Sequence, residues 1–118
     1  MPLELRDQSV LRHIIKYCEE ITFTLSQVEN DHDRLLASSV HVNALALCIL
    51  QIGELSTVLS DGFKDAHPEM PWRDIKRMRN IVAHHYGSFN REMLWNTVQT
   101  DIPQLRQFCE DVLKTEEE

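Results

Sequence analysis

At 118 residues, 42% of them hydrophobic, the chain suits a single domain over 1–118 with one core, needing neither disulfides nor a structural metal. Its net charge of -7 argues against broad non-specific binding to a polyanion, which depends on many Lys and Arg contacts. Three cysteines, Cys18, Cys48 and Cys109, are odd in number, far apart and without a C-x-x-C pair; this points away from a disulfide framework or zinc ribbon and predicts buried thiols.

The N-terminal MPLELRDQSV lacks an apolar signal region, and the longest apolar run, Ala44 to Leu50, is too short to span a bilayer. A cytoplasmic location without a membrane partner is therefore expected. Few glycines and prolines punctuate the chain and no segment alternates with period two, so the predicted class is all-α, an up-and-down bundle of four to five helices. Val10, Ile14, Cys18, Ile21, Leu25 and Val28 recur at three- and four-residue steps and mark a first amphipathic helix from about Asp7 to Val28. Asn30 to Leu36 reads as a turn into a short helix, with Asn30, Asp31 and Asp33 as candidate caps.

From Ser39 to Leu59 nearly every face is apolar, which predicts either the central buried helix or one shared between the core and a subunit interface. Gly53 within it weakens the helix by about 1 kcal/mol relative to alanine, so close approach of another helix is its expected reason. Beside it, Glu54 either takes an arginine partner or faces water. The stretch DGFKDAHPEMP reads as a connection, and the next helix starts at Pro71 or Trp72, with Trp72, Ile75, Met78 and Val82 as its core stripe and Gly87 marking its end. A last helix from about Asn90 to Leu113 is expected to kink at Pro103, with the acidic tail after Thr115 frayed.

Charge is unevenly spread. Between Arg73 and Arg91 five cations meet one acid, leaving this stretch at +4 and the remainder at -11. Such residues are either a solvated helix face or one local positive site on an acidic body. Within that stretch RNIVAHHY holds the groups suited to metal-free cleavage of an RNA phosphodiester. A histidine titrates near neutrality and can take the proton of a ribose 2′-hydroxyl, and an arginine fork stabilises charge on the phosphate oxygens. Arg79 is assigned to electrostatic stabilisation and His84 to acid or base work, with Asn80, His85, Arg77 and Lys76 as supporting or substrate-binding groups. Five residues apart on a helix, Arg79 and His84 diverge by roughly 140°. Either the last turn is distorted near Gly87, or a two-fold dimer brings two motifs together. Arg79 and Tyr86, seven apart, would share a face of a continuous helix.

RNIVAHHY resembles the R-x4-H-x-Y motif of HepT-like toxins in the HEPN superfamily, with Arg79, His84 and Tyr86 at its fixed places. QIGEL at Gln51 to Leu55, HPEMPWRDI at His67 to Ile75 and MRNIVAHHYG at Met78 to Gly87 carry the same likeness. The resemblance implies a homodimeric, HEPN-like endoribonuclease toxin of a type VII toxin–antitoxin pair, possessing no cofactor and acting on RNA in a cleft between subunits; higher oligomers through the apolar helix stay open. It also implies an MntA-like nucleotidyltransferase antitoxin that transfers AMP to Tyr86, the attached phosphate pairing with Arg79. His85 fills the variable position, and adjacent imidazoles pointing about 100° apart do not suit joint metal ligation. His13, His32, His41 and His67 have no ligand spacing and are expected at the surface or satisfied in the core. The same residues would equally serve a non-catalytic dimeric module that binds a nucleotidyltransferase or RNA.

Overall fold

The computed structural model describes residues 3–117, and among these there is no strand. Helix α1 spans Leu5–Gln27, α2 His32–Ala37, α3 Ser39–Val58, α4 Asp61–Ala66, α5 Trp72–His84, α6 Arg91–Asn96 and α7 Ile102–Glu117. A 3₁₀ turn at Tyr86–Ser88 follows α5, and a π segment at Thr97–Asp101 joins α6 to α7.

Why the chain stops and restarts where it does is local chemistry. After α1, Glu29 and Asn30 take positive φ of 56° and 49°, and the Asn30 N–H bonds the Leu25 carbonyl at 2.8 Å, closing the helix. Asp31 caps α2, Ser38 caps α3, Ser60 caps α4 and Asn90 caps α6, each side-chain oxygen accepting a backbone N–H of the first turn.

Helix α3 lies at the centre, packed on α1 along one side and on α5 along the other, while α1 also meets α7. Its buried side chains Val42, Leu45, Ile49 and Ile52 meet Leu11, Ile14, Cys18 and Ile21 of α1 in one core. Burying each large apolar side chain contributes about 1.5–3 kcal/mol. Although α3 is long and apolar enough by length and composition to match a membrane span, eight of its residues are buried against neighbouring helices. Helix α5 is peripheral: Val82 is its sole buried residue, while Trp72, Ile75 and Met78 are half-buried against the core edge. The radius of gyration is 14.6 Å, above the roughly 13.5 Å of a compact chain of this length, in keeping with an elongated shape of 46 × 28 × 20 Å.

Three expectations are corrected. DGFKDAHPEMP is not simply a connection, because Asp61–Ala66 forms α4: Ser60 Oγ accepts the Phe63 N–H at 3.1 Å and Phe63 buries its ring. The tail is helical through Glu117, with Thr115 bonded back to the Asp111 carbonyl and Glu116 accepting the Leu3 N–H at 3.1 Å; Glu118 lies outside the described residues. Near Pro103 the irregularity is a π segment placed just ahead of the ring, where the Ile102 N–H bonds the Thr97 carbonyl five residues back.

Sequence reading also missed the role of Asp7. Its carboxylate, 2% exposed, accepts the Ser60 N–H at 3.0 Å and the Ser60 hydroxyl at 2.7 Å, fixing α1 to the start of α4. Burial without those donors would be costly.

Candidate functional site

The site is built on the crossing of α3 and α5. A Cβ added at Gly53 would fall 2.7 Å from Arg79 Cγ and nearer still to Arg79 Cβ, so the missing side chain is what lets α5 seat there. The close approach expected of Gly53 is thus made by Arg79 itself. Glu54, one residue on, accepts from Arg79 Nε, and Asn80 Oδ1 accepts from Arg79 Nη1 at 3.0 Å. The guanidinium is held by two partners, one at Nε and one at Nη1, and its Nη2 group carries no partner among the described residues. Glu54 therefore has the arginine partner, and Asn80 orients Arg79.

Helix α5 is regular from Trp72 to His84, so no distortion lies between Arg79 and His84. Their side chains leave the axis roughly 140° apart and about 7.5 Å apart along it. Arg79 is turned onto α3, whereas His84 is exposed at the last turn. His85 caps the helix, its N–H bonding the Ile81 carbonyl at 2.9 Å, and its ring is exposed.

Tyr86 falls in the 3₁₀ turn, beyond the helix, which corrects the shared helical face expected for Arg79 and Tyr86. Its hydroxyl nevertheless reaches α3, donating to Asn43 Oδ1, and the ring packs 5.5 Å from Phe89. Tyr86 stays 45% exposed. Asn43 and Glu54 are eleven residues apart on α3, about 16 Å along its axis. A phosphate carried on Tyr86 would therefore lie far from Arg79 of the same chain, against the expected pairing. No sequence signal marked Asn43; an asparagine on an exposed helix face has no local signature.

The other cations divide. Lys76 faces a shallow groove between α3, α4 and the start of α5, whereas Arg77 lines an apolar groove on the far side of α5, beside Asp74, Met78, Ile81 and Met93. Arg91 is not part of a positive site: it donates to the Leu36 carbonyl at 2.6 Å and to Ser39 Oγ at 3.1 Å, clamping the α2–α3 junction. Of the remaining histidines, His13 and His41 bond locally to the Ser9 carbonyl and to Ser38 Oγ. His67 packs on Phe63 and Phe108. His32 bridges Asp33 at 2.8 Å and Glu92 at 2.5 Å, and these hydrogen bonds, that to Asp33 first, push its pKa up. Among the described residues no group of three His, Cys, Asp or Glu side chains is placed to hold a metal ion.

The profile of the HepT-like ribonucleases matches residues 11–112, which include the α3–α5 crossing, Tyr86 and most of α7. The chain belongs to the HepT-like ribonuclease family. It is 46% identical over 55 residues to a protein of Thermococcus cleftensis named probable ribonuclease HepT, an alignment covering 47% of this chain and half of that relative. A protein of Caldanaerobacter subterraneus with a provisional RNase name is 28% identical over 107 residues, 90% of this chain and 93% of the relative. A longer protein of Methanocaldococcus jannaschii, provisionally named both gamma-glutamylcyclotransferase and RNase, is 30% identical over 92% of this chain but only 46% of its own length. No solved structure matches the chain significantly.

At the α3–α5 crossing Arg79 is oriented by Glu54 and Asn80, while His84 stands exposed at the end of α5. Exposed ion pairs are worth at most about 1 kcal/mol. With Glu54 45% and Arg79 29% exposed, the pair aligns the guanidinium while leaving it partly open to solvent.

Proposed function

We propose that the chain is the endoribonuclease toxin of a toxin–antitoxin pair, acting as a cytoplasmic homodimer whose subunits combine Arg79 of one copy with His84 of the other. The observation that carries this reading is the regular α5 helix: it turns Arg79 onto α3 and His84 outward, so one copy cannot aim both at one phosphorus. A two-fold pairing across this face resolves the divergence. Exposed apolar side chains on α3, Val40 at 76%, Leu47 at 56% and Val58 at 40%, support a partner surface there.

In the proposed reaction His84 takes the proton of a ribose 2′-hydroxyl, and that oxygen bonds to the adjacent phosphorus. The bond from phosphorus to the 5′ oxygen breaks, a second histidine protonates the departing oxygen, and a 2′,3′-cyclic phosphate remains. Arg79, oriented by Glu54 and Asn80, stabilises the growing charge on the non-bridging oxygens. Adenylylation by an MntA-like nucleotidyltransferase would form a bond from the Tyr86 oxygen to the α-phosphorus of ATP, releasing pyrophosphate and the phenolic proton. The 45% exposure of Tyr86 supports access by such an enzyme. The modification would act by filling the dimer cleft rather than by pairing with Arg79 of its own chain.

Incubation of the purified protein with total RNA tests the reading. Arg79→Ala and His84→Ala should each lower the cleavage rate by about 100-fold or more. Undiminished cleavage by both variants would place the site elsewhere, and no cleavage by the unmodified dimer would support a module that binds without cutting.

A further inference from the structure

A shallow groove runs beside Arg79 on the same α3–α5 crossing. It is lined by Gly53, Ser56 and Thr57 of α3, Lys64 of α4, and Trp72, Arg73 and Lys76 of α5. Three cations and no carboxylate line it, in a chain whose net charge is -7. None of Lys64, Arg73 or Lys76 enters a salt bridge among the described residues, whereas Arg34, Arg79 and Arg106 each pair with a glutamate. Arg73 and Lys76 are exposed and Lys64 is half-buried, so the three ammonium and guanidinium groups face water over a floor of small residues and one indole edge.

Sequence position explains how the groove forms. Arg73 and Lys76 are three apart and project from one side of α5, while Lys64 comes from the short helix α4 whose start is fixed by Asp7 and Ser60. Trp72 is held against the floor by its Nε1 donating to the His67 carbonyl at 3.0 Å and by packing on Phe63 and Phe108. Gly53 belongs to both places: it lines the groove, and its absent side chain is the space occupied by Arg79. The groove is therefore continuous with the proposed cleavage site. From Arg73 to Asn80 and His84, at seven and eleven residues, the polar side of α5 forms one line about 16 Å long.

We propose that the Lys64–Arg73–Lys76 groove is a subsite for the RNA backbone, binding phosphates that flank the one cleaved. This rests on the ribonuclease reading above and adds to it the direction in which substrate lies: from the cleavage site along α5 toward its N-terminal end. Lysine and arginine meet phosphate oxygens by charge, and contacts of this kind position a strand without reading its sequence. An acidic chain repels polyanions over much of its surface, so a carboxylate-free groove beside the reacting groups selects where the strand lies.

Binding of a fluorescent single-stranded RNA bearing 2′-O-methyl groups, which lacks the attacking hydroxyl, tests the subsite without cleavage. Affinity is measured across a series of salt concentrations for the wild-type dimer, for Lys64→Ala/Arg73→Ala/Lys76→Ala, and for Arg12→Ala/Lys16→Ala/Lys114→Ala, which removes equal charge from α1 and α7. The groove variant should bind roughly 10- to 100-fold more weakly near 0.1 M salt, with a log–log salt slope shallower by about 2. The control variant should keep most of both. Equal losses in the two variants, or an unchanged slope in the groove variant, would overturn the subsite while leaving the ribonuclease reading intact. Absence of RNA binding by the wild-type dimer, together with no cleavage of unmodified RNA, would remove the reading on which the subsite rests. Circular dichroism melting should give similar transitions for all three proteins, since every substituted residue is exposed or half-buried; if the groove variant melts early, single substitutions at Arg73 and Lys76 are compared instead and should each lower the slope by about 0.7.

Discussion

Replacing Gly53 with alanine isolates the reasoning about the α3–α5 crossing. Considered as a helix residue, the change is favourable: alanine is better than glycine by about 1 kcal/mol inside a helix. Considered in this structure it is unfavourable, because the new methyl meets Arg79 Cγ at 2.7 Å and Arg79 Cβ closer still, where carbon atoms normally stand about 3.5–4.0 Å apart. The contacting atoms are the root of the Arg79 side chain, with Arg79 Cα at 3.4 Å, so rotation of the distal chain cannot relieve them and α5 has to move outward by about an ångström. Overpacking of this kind costs about 1–3 kcal/mol, which outweighs the propensity gain and leaves a net loss of up to about 2 kcal/mol. For a chain of this length 1 kcal/mol corresponds to roughly 4 °C in Tm. Thermal unfolding should therefore show Gly53→Ala melting by up to about 8 °C lower, and RNA cleavage should fall with it, since displacement of α5 moves Arg79 from Glu54. A variant that melts higher, by the amount the propensity gain implies, and cleaves RNA at the wild-type rate would refute the close approach.

Other expectations concern protonation and modification. Burial raises the Cys18 and Cys109 thiols to about 12 and Cys48 to about 11, so all three should resist alkylation at pH 8 in the folded protein and react promptly in denaturant; fast labelling of the native chain would contradict their placement. The raised pKa of His32 means that its bridge to Asp33 and Glu92 stabilises the fold fully below the ordinary histidine value near 6.5 and is lost as pH rises through the higher folded-state value. His32→Gln should accordingly lower Tm more at pH 5.5 than at pH 9, and a pH-independent difference would count against the bridge. Incubation with ATP and the cognate nucleotidyltransferase should add AMP to Tyr86, with Asn43→Ala modified at least as fast because the phenol is released from its acceptor; equal labelling of Tyr86→Phe would sink this assignment.

Much of the scaffold was readable because it is amphipathic. The three- and four-residue steps of Val10 to Val28 and the unbroken apolar span of α3 each depend on burial of a face, and burial leaves a periodic trace in sequence. Gly53 was legible as an anomaly, a poor helix residue with no local excuse. Helix α4 was hidden by the glycine and prolines around it, although Ser60 followed by Asp61 is an N-cap signal that would have revealed it. The partners of the site residues were harder to read for a different reason. Asn43 and Glu54 reach Tyr86 and Arg79 across 43 and 25 residues, and such pairings are fixed by how two helices cross rather than by either segment. Periodicity placed Tyr86 on the Arg79 face, but α5 ended two residues earlier and a 3₁₀ turn brought the phenol to α3 by another path. Likewise the charge count drew Arg91 into the positive stretch, although its guanidinium serves a carbonyl and a serine elsewhere.

The sharing of one cleavage site between two copies is tested most directly by mixing inactive chains. Arg79→Ala and His84→Ala subunits, separately tagged, are co-purified as a heterodimer. If each site takes its arginine from one copy and its histidine from the other, one of the heterodimer's two sites is intact, and it should cleave RNA at about half the wild-type rate while both parent homodimers remain inactive. A heterodimer as inactive as its parents would contradict a site that needs only one arginine and one histidine, drawn from different copies.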